Sequence, residues 1–374
     1  LSTSCIAELP NTPLDIIGDI HGEHGALESL LKRLGYDDRG THAEHRKLVF
    51  VGDLIDRGPD SPAVLRRVMR LVESGNAQCI AGNHELNAIR DESQKHRSGE
   101  GWWYGRREAE YDYTLVDSEE KERSFLPFLR SLPGALERDG LRVVHACWHE
   151  PSIAKLRSAN SVIDAFRKEE AANEPRLEAL VKDLRAVIKK STLGPAAIRD
   201  RENKLELIPE LARLDEANQM GNAVKVATSG MERVAKDSFW ASGKWRMVNR
   251  VPWWEEYSGP PVVVGHYWRR YFPGRSSSAQ KAQKAEADVF GATPPQQALG
   301  PERSVMCIDY SVGMRYAERT EAAKPSAGTG KSAQSNKTRG THSVQFNGCL
   351  AALRIPEWQL VFDDGRKSLQ VERA

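Results

Sequence analysis

Three short stretches carry side chains able to hold ions and move protons. They are Gly18-Asp-Ile-His-Gly22, Gly52-Asp-Leu-Ile-Asp-Arg-Gly58 and Gly82-Asn-His-Glu85. They supply Asp19, His21, Asp53, Asp56, Arg57, Asn83 and His84, and His145 and His266 follow apolar runs further on. Carboxylate, amide and imidazole donors with no thiolate among them suit manganese, iron, zinc or magnesium rather than a structural zinc site built from cysteines. The set also exceeds what one ion needs. A carboxylate shared by two ions would make a centre about 3.5–4 Å across, able to lower the pKa of a bridging water and to clamp the oxygens of an in-line phosphoryl displacement. Gly, Asp and Asn favour turns in any case, so one stretch alone says little and the ordered set says more.

These residues need strands and helices to aim them. Leu14-Asp-Ile-Ile17, Leu48-Val-Phe-Val51 and Gln78-Cys-Ile-Ala81 are short, apolar runs, and each leads into one of the three stretches. Between them, Ala26, Leu27, Leu30, Leu31 and Leu34 recur at helical spacing and end near Gly35. A second helical face, Val64, Leu65, Val68, Leu71 and Val72, starts at Ser61-Pro62, read as an N-cap followed by an N1 proline. Strand, turn, helix in repetition predicts an α/β fold with parallel strands, and ligands bind past the carboxyl ends of such strands. Leu141–Val144 precedes His145, Pro261–Val264 precedes Gly265-His266, and Ser304–Ile308 precedes Asp309. Residues 348–354 and 358–362 read as a closing hairpin.

The 374 residues allow one large α/β domain with insertions, read as a single domain over 1–374. Residues 151–250 are charged and read as a mostly helical insertion or cap. Residues 275–300 and 317–342, poor in large apolar side chains, read as mobile loops. Gly330-Lys331-Ser332 resembles the end of a P-loop, but Pro325 stands where that loop needs glycine. With 54 Lys and Arg against 52 Asp and Glu, the net charge of +2 points to neither a nucleic acid polymer nor a membrane as partner. No apolar stretch reaches the about 18 residues of a membrane span. The five cysteines show no CxxC spacing and fit reduced thiols in a cytoplasmic protein.

The three motifs, in this order and about 30 residues apart, resemble those of the calcineurin-like metallophosphoesterases. The likeness is to the branch holding phosphoprotein phosphatases and bacterial symmetrical dinucleoside-tetraphosphatase-like enzymes. Val144-His145 and Val264-Gly265-His266 match the later family histidines. The resemblance implies two mixed β-sheets packed as a sandwich and flanked by helices, with two divalent ions, manganese first and iron, zinc or magnesium as alternatives. By position, Asp19 and His21 would hold one ion, Asn83, His145 and His266 the other, and Asp53 would bridge both. His84 would be the general acid, oriented by Asp56, and Arg57 would hold phosphate oxygens in a fork. Arg246 is the candidate second clamp, with Arg250 close behind. The implied activity is hydrolysis by a metal-bridging hydroxide that attacks a phosphate ester in line.

The expected substrate is phosphorylated: a phosphomonoester or serine/threonine phosphoprotein first, a nucleotide or dinucleoside polyphosphate of the diadenosine tetraphosphate type second. Asp56 favours the former, since enteric-type tetraphosphatases carry alanine there. A non-catalytic metal-binding scaffold with this fold is the alternative of another class, and it would be expected to have lost ligands. Trp102-Trp103, Trp253-Trp254 and Trp268 read as packing before base stacking. Arg269-Arg270, directly after a ligand, reads as positive charge at the site mouth.

Overall fold

The apolar runs become strands whose side chains alternate between two cores. In the computed structural model, which describes residues 4–90, 97–190, 196–241, 243–271, 289–323 and 346–373, the strands in chain order are as follows. They are β1 (Ile6–Glu8), β2 (Leu14–Ile17), β3 (Lys47–Phe50), β4 (Ala77–Cys79), β5 (Ala135–Arg138), β6 (Leu141–Val144), β7 (Glu232–Ala241), β8 (Lys244–Arg250), β9 (Val262–Val264), β10 (Val305–Cys307), β11 (Ala351–Ile355), β12 (Gln359–Phe362) and β13 (Leu369–Gln370). One sheet has the order β13-β12-β11-β2-β3-β4, the second β1-β5-β6-β9-β10. Both are mixed. β2, β3 and β4 run parallel while β11 to β13 pair antiparallel, and β5–β6 is the antiparallel pair of the second sheet.

Period two sorts the side chains. Leu14, Ile16, Val49 and Val51 meet Leu136, Val143, Val263, Met306 and Ile308 from the other sheet in one cluster. Ile17, Leu48 and Phe50 point the other way, into the cluster of Leu27, Leu30, Val64, Leu65 and Val68. Those belong to helices α1 (His24–Leu34) and α2 (Ser61–Glu73). The result is a sandwich with helices on its outside, as the motif resemblance implied. α1 ends on Gly35, whose φ of 94° suits glycine. The cap of α2 is Asp60, not Ser61: its carboxylate accepts from Ala63 N at 3.0 Å, and Ser61 is already the first helical residue.

The insertion over 151–250 holds more than helices. It carries the helices Glu150–Arg157, Val162–Lys190, Pro209–Met220 and Ala223–Ser229, but it closes with the antiparallel hairpin β7–β8. Val162, Phe166, Val224 and Ala227 bury themselves in the helix-side core, and Leu205, Ala212, Trp245 and Met247 form a small core of their own. The loop expectations also change. Ala298 and Leu299 are buried, and residues 317–323 belong to the helix Arg315–Ala323. Residues 275–288 and 324–342, with Gly330-Lys331-Ser332, lie outside the described residues. All five cysteines are free and buried. Among the described residues, no helix is long and apolar enough to cross a membrane.

Candidate active site

Six strands end at one edge, and each delivers a polar residue just past its last apolar one. Asp19 follows β2, Asp53 follows β3, Asn83 follows β4, His145 follows β6, His266 follows β9 and Asp309 follows β10. Turning that sharply puts the backbone in a region side chains avoid. His21, Asp53, Asp56, Arg57 and His266 all have positive φ, between 48° and 74°. Such strain costs of order 1–3 kcal/mol per residue and persists where surrounding structure imposes it. Glu85 is one of those restraints. Fully buried, it accepts from the backbone N–H groups of Asp53, Leu54 and Gly82, each at 2.8 Å, and ties the second motif to the third. Burial, then the Asp53 charge, pushes its carboxyl up to about 7. Close approach also needs glycine: a Cβ on Gly82 would strike Asp53 Oδ1, and one on Gly265 would strike Asp19 Oδ1.

Two donor clusters share Asp53. Its Oδ1 lies 3.3 Å from His145 Nε2, and its Oδ2 lies 3.7 Å from His21 Nε2. Asp53, His145 and His266 gather on one side, His21, Asp53 and His84 on the other. The far ring nitrogens fix the imidazoles. His145 Nδ1 meets Val51 O at 2.7 Å and His21 Nδ1 meets Ile55 O at 3.1 Å, which turns Nε2 inward. Asn83 Oδ1 lies 2.8 Å from His266 Nδ1; with the amide turned over, its nitrogen donates there and to Thr228 O. Neighbouring donors on an octahedral ion with bonds of about 2.1 Å sit about 3 Å apart, so these spacings suit ligands of a common ion. Asp19 accepts from His266 N at 3.2 and 3.0 Å.

The charges fit divalent ions as well. Asp19, Asp53 and Asp309 are at most 2% exposed. Burial, then repulsion from Asp309, raises the Asp19 carboxyl well above its ordinary range. Burial raises Asp309 too. Burial also opposes charge on Asp53, yet His145 and His84 hold its carboxyl well below the usual range. Burial opposes a proton on His145, but the Asp53 carboxylate outweighs it and pushes the imidazole up to about 10. His21, through burial and Arg57, and His266, through burial and Arg250, are held well below, as neutral donors. Divalent cations would replace the protons that now balance these acids.

Beside the clusters, His84 Nδ1 and Asp56 Oδ2 are 2.5 Å apart, and Trp102 Nε1 donates to Asp56 Oδ1 at 2.6 Å. Burial works against the His84 imidazolium, but Asp53 and the Asp56 bond outweigh it despite Arg57, and its pKa is raised. The Arg57 guanidinium reaches His21 Nε2 at 2.7 Å and His84 Nε2 at 3.2 Å, with its face 4.7 Å from the Trp268 ring.

Residues 12–187 match the family model described as calcineurin-like phosphoesterase. Over that stretch the chain is similar to that family. Similar proteins include one of Oceanobacillus iheyensis named bis(5'-nucleosyl)-tetraphosphatase PrpE (asymmetrical), 51% identical over 74 residues, or 19% of this chain and 30% of that one. A Bacillus subtilis protein of the same name is 45% identical over 73 residues, 19% of this chain and 30% of its own length. The chain thus spans under a third of the length of these curated relatives. Those names specify the asymmetrical type, where the motif resemblance pointed to symmetrical enzymes. Among solved structures, a cold-active protein-tyrosine phosphatase of a Shewanella species aligns over 98% of this chain and 83% of its own, at 14% identity and a TM-score of 0.46.

Two arginines of the chain are engaged elsewhere in three dimensions. Arg246 is held by Glu232 at 2.9 Å across the β7–β8 hairpin, whereas Arg250 is the arginine whose charge bears on His266. Arg269 is not at the mouth. It is 2% exposed and donates to the carbonyls of Pro294 and Gln297. Trp102, Trp103, Trp253 and Trp254 are buried, which leaves Trp268 as the half-buried indole against Arg57. Glu85, Trp102 and Asp309 were missed as site residues. Asp309 had a signal, since it follows a buried strand as the ligands do.

Proposed function

We propose that this chain is a two-metal phosphohydrolase acting on phosphate esters or anhydrides. The observation that carries the reading is Asp53, with one carboxylate oxygen turned to each donor cluster. Asp19, His21 and Asp53 would hold one ion, and Asp53, Asn83, His145 and His266 the other. When bound, such a pair supplies positive charge for phosphate oxygens and lowers the pKa of a water, and manganese heads the candidates.

The protein's own groups then divide the work. Asp56 keeps the His84 ring turned with Nε2 toward the site, where it would hold a proton for the leaving oxygen. Arg57 would swing from the two imidazoles onto phosphate oxygens, with the Trp268 face guiding it. Arg250, not Arg246, would be the second clamp. The insertion over 151–250 forms part of the same domain, since its apolar residues complete the helix-side core.

A phosphomonoester, including a phosphoprotein, is the first substrate reading, resting on the Asp56–His84 pair. A dinucleoside polyphosphate is the second, favoured by the names of the bacterial relatives. The test is a phosphate-release screen over phosphopeptides, nucleotides and dinucleoside polyphosphates with manganese present. Asp53→Asn and His84→Asn should each lower kcat by roughly several hundredfold or more. Full activity in the His84 variant would remove its acid role. No hydrolysis of any substrate, with no metal retained, would return the scaffold alternative.

A further inference from the structure

Asp309 stands past the end of β10 as the ligand candidates stand past the ends of their strands, and it is 1% exposed. Among the described residues, it joins neither donor cluster at Asp53. Both of its carboxylate oxygens accept from the backbone instead. Oδ2 takes the N–H of Trp268 at 2.9 Å, and Oδ1 takes the N–H of Ser311 at 2.8 Å. An ionised acceptor makes such bonds strong, and burial makes them costly to lose.

Both bonded residues have backbone in a region that side chains avoid. Trp268 has a φ of 49° and Ser311 a φ of 64°. Two further bonds close the clip. Arg269 N donates to Asp309 O at 2.8 Å, and Ser311 Oγ donates to Arg269 O at 2.9 Å. One buried carboxylate thus restrains two turns, one after His266 and one after β10. Each turn brings a surface to Arg57. Trp268 sets its ring 4.7 Å from the guanidinium. Ser311 opens the short turn Val312–Met314, where Gly313 lies so close that a Cβ on it would come within 3.1 Å of Arg57 Nη1. The guanidinium therefore has two supports, and they share one anchor.

We propose that Asp309 is a positioning residue that shapes the seat of Arg57, through Trp268 on one side and the Val312–Met314 turn on the other, and so presents Arg57 to a substrate phosphate. The inference rests on the phosphohydrolase reading for the work of Arg57 and deepens it at that residue. A guanidinium recognises phosphate through a fork of fixed geometry, so a loosened seat costs alignment. A contact weakened equally in the ground state and the transition state raises KM and leaves kcat alone.

The full chain with manganese and 4-nitrophenyl phosphate tests this. Asp309→Asn puts an amide where two N–H groups need acceptors, and it should raise KM about tenfold with kcat and manganese content close to wild type. Trp268→Leu should raise KM as well. The double variant should be no worse than Asp309→Asn, because one set of contacts is then broken twice. Asp309→Glu keeps the charge, moves the oxygens by one methylene, and should show the same rise. It also carries the measurements should Asp309→Asn not fold.

A second readout needs no turnover. In protein with isotope-labelled arginine, the Arg57 Hε resonance, assigned by its absence in Arg57→Gln, is displaced by the Trp268 ring. That displacement should be lost in Asp309→Asn as in Trp268→Leu. Wild-type KM and a wild-type Arg57 resonance in Asp309→Asn overturn the proposal, even where that variant unfolds earlier, since a group that only holds the fold moves neither. Loss of manganese makes Asp309 a ligand, and additive losses in the double variant remove the route through Trp268; either result overturns the proposal. Wild-type KM in Asp309→Glu does so too, with the charge rather than the two bonds as the cause. If the wild type hydrolyses nothing, the phosphohydrolase reading has failed by itself. The Arg57 resonance then still decides the seat: a displacement lost in Asp309→Asn supports it, and one retained overturns it.

Discussion

Two buried aspartates stand at the two ends of strand β2, which treat them in opposite ways. Asp15, at the start, accepts from Tyr36 OH at 2.9 Å, from Arg46 Nε at 3.2 Å, and from Arg354 Nε and Nη2 at 2.9 and 3.2 Å. Arg46 is itself satisfied by Glu357 and by the carbonyls of Leu14 and Ile355. Asp19, just past the end, has the His266 backbone N–H and acidic neighbours, and its carboxyl is pushed up. A buried charge with its partners in place holds strands together. A buried acid crowded by other acids is arranged for a cation that comes from outside.

Substitution of each aspartate alone should break the symmetry. The largest effect belongs to Asp19→Asn. Manganese-dependent turnover should fall roughly a thousandfold, several kcal/mol of transition-state stabilisation. Metal-free Asp19→Asn should unfold no earlier than metal-free wild type, because the amide relieves repulsion that burial has sharpened. Thermal unfolding in chelator beside elemental analysis checks this, and a clearly less stable metal-free variant would make Asp19 structural.

Asp15→Asn should do the reverse. It leaves the Arg46 guanidinium, 1% exposed, facing a neutral amide. Breaking a buried pair from one side costs about 3 kcal/mol or more. Denaturant unfolding should report that loss, while kcat per folded molecule stays close to wild type. A large fall in kcat with stability intact would mean that the two ends of β2 are coupled.

Smaller still is Asp56→Asn, which leaves the metal ligands alone. Its kcat should drop roughly a hundredfold, the scale of one mis-set general acid, with metal content unchanged. Loss of metal in this variant would place Asp56 with the ligands rather than with His84.

The motifs were legible because their elements obey local rules. Ile16 and Ile17 point to different cores by period two, and the leucines of α1 repeat at helical spacing, so strand ends and their polar residues stand out. What stayed hidden depends on distance in space. Glu85 reads as an ordinary acid in a first helical turn, and only the folded chain brings three backbone N–H groups to it. The β7–β8 hairpin looked helical because its charged side chains face solvent, and strand pairing rather than propensity made it. Arg246 and Arg250 share one face of β8 about 13 Å apart, so sequence cannot say which end approaches His266. Asp60 displaced Ser61 as cap because either residue can serve, and the turn after Gly58 decided.

Trp102 is the finest of these hidden contacts, and it gives the smallest predicted effect. Its indole donates to the Asp56 oxygen that His84 does not use, across 46 positions of sequence. Trp102→Phe keeps most of the buried ring and removes that one donor, leaving a buried carboxylate oxygen short of a partner. The loss should be about 1–2 kcal/mol of stability and a several-fold fall in kcat, with KM little changed because no substrate contact is removed. Trp102→His, which can still present an N–H, should recover kcat if the bond to Asp56 is what matters. Should Trp102→Phe lower stability without touching kcat, the indole belongs with Arg46 among the groups that only hold the fold, and the boundary between the two kinds of buried polar contact would run between Asp56 and Trp102.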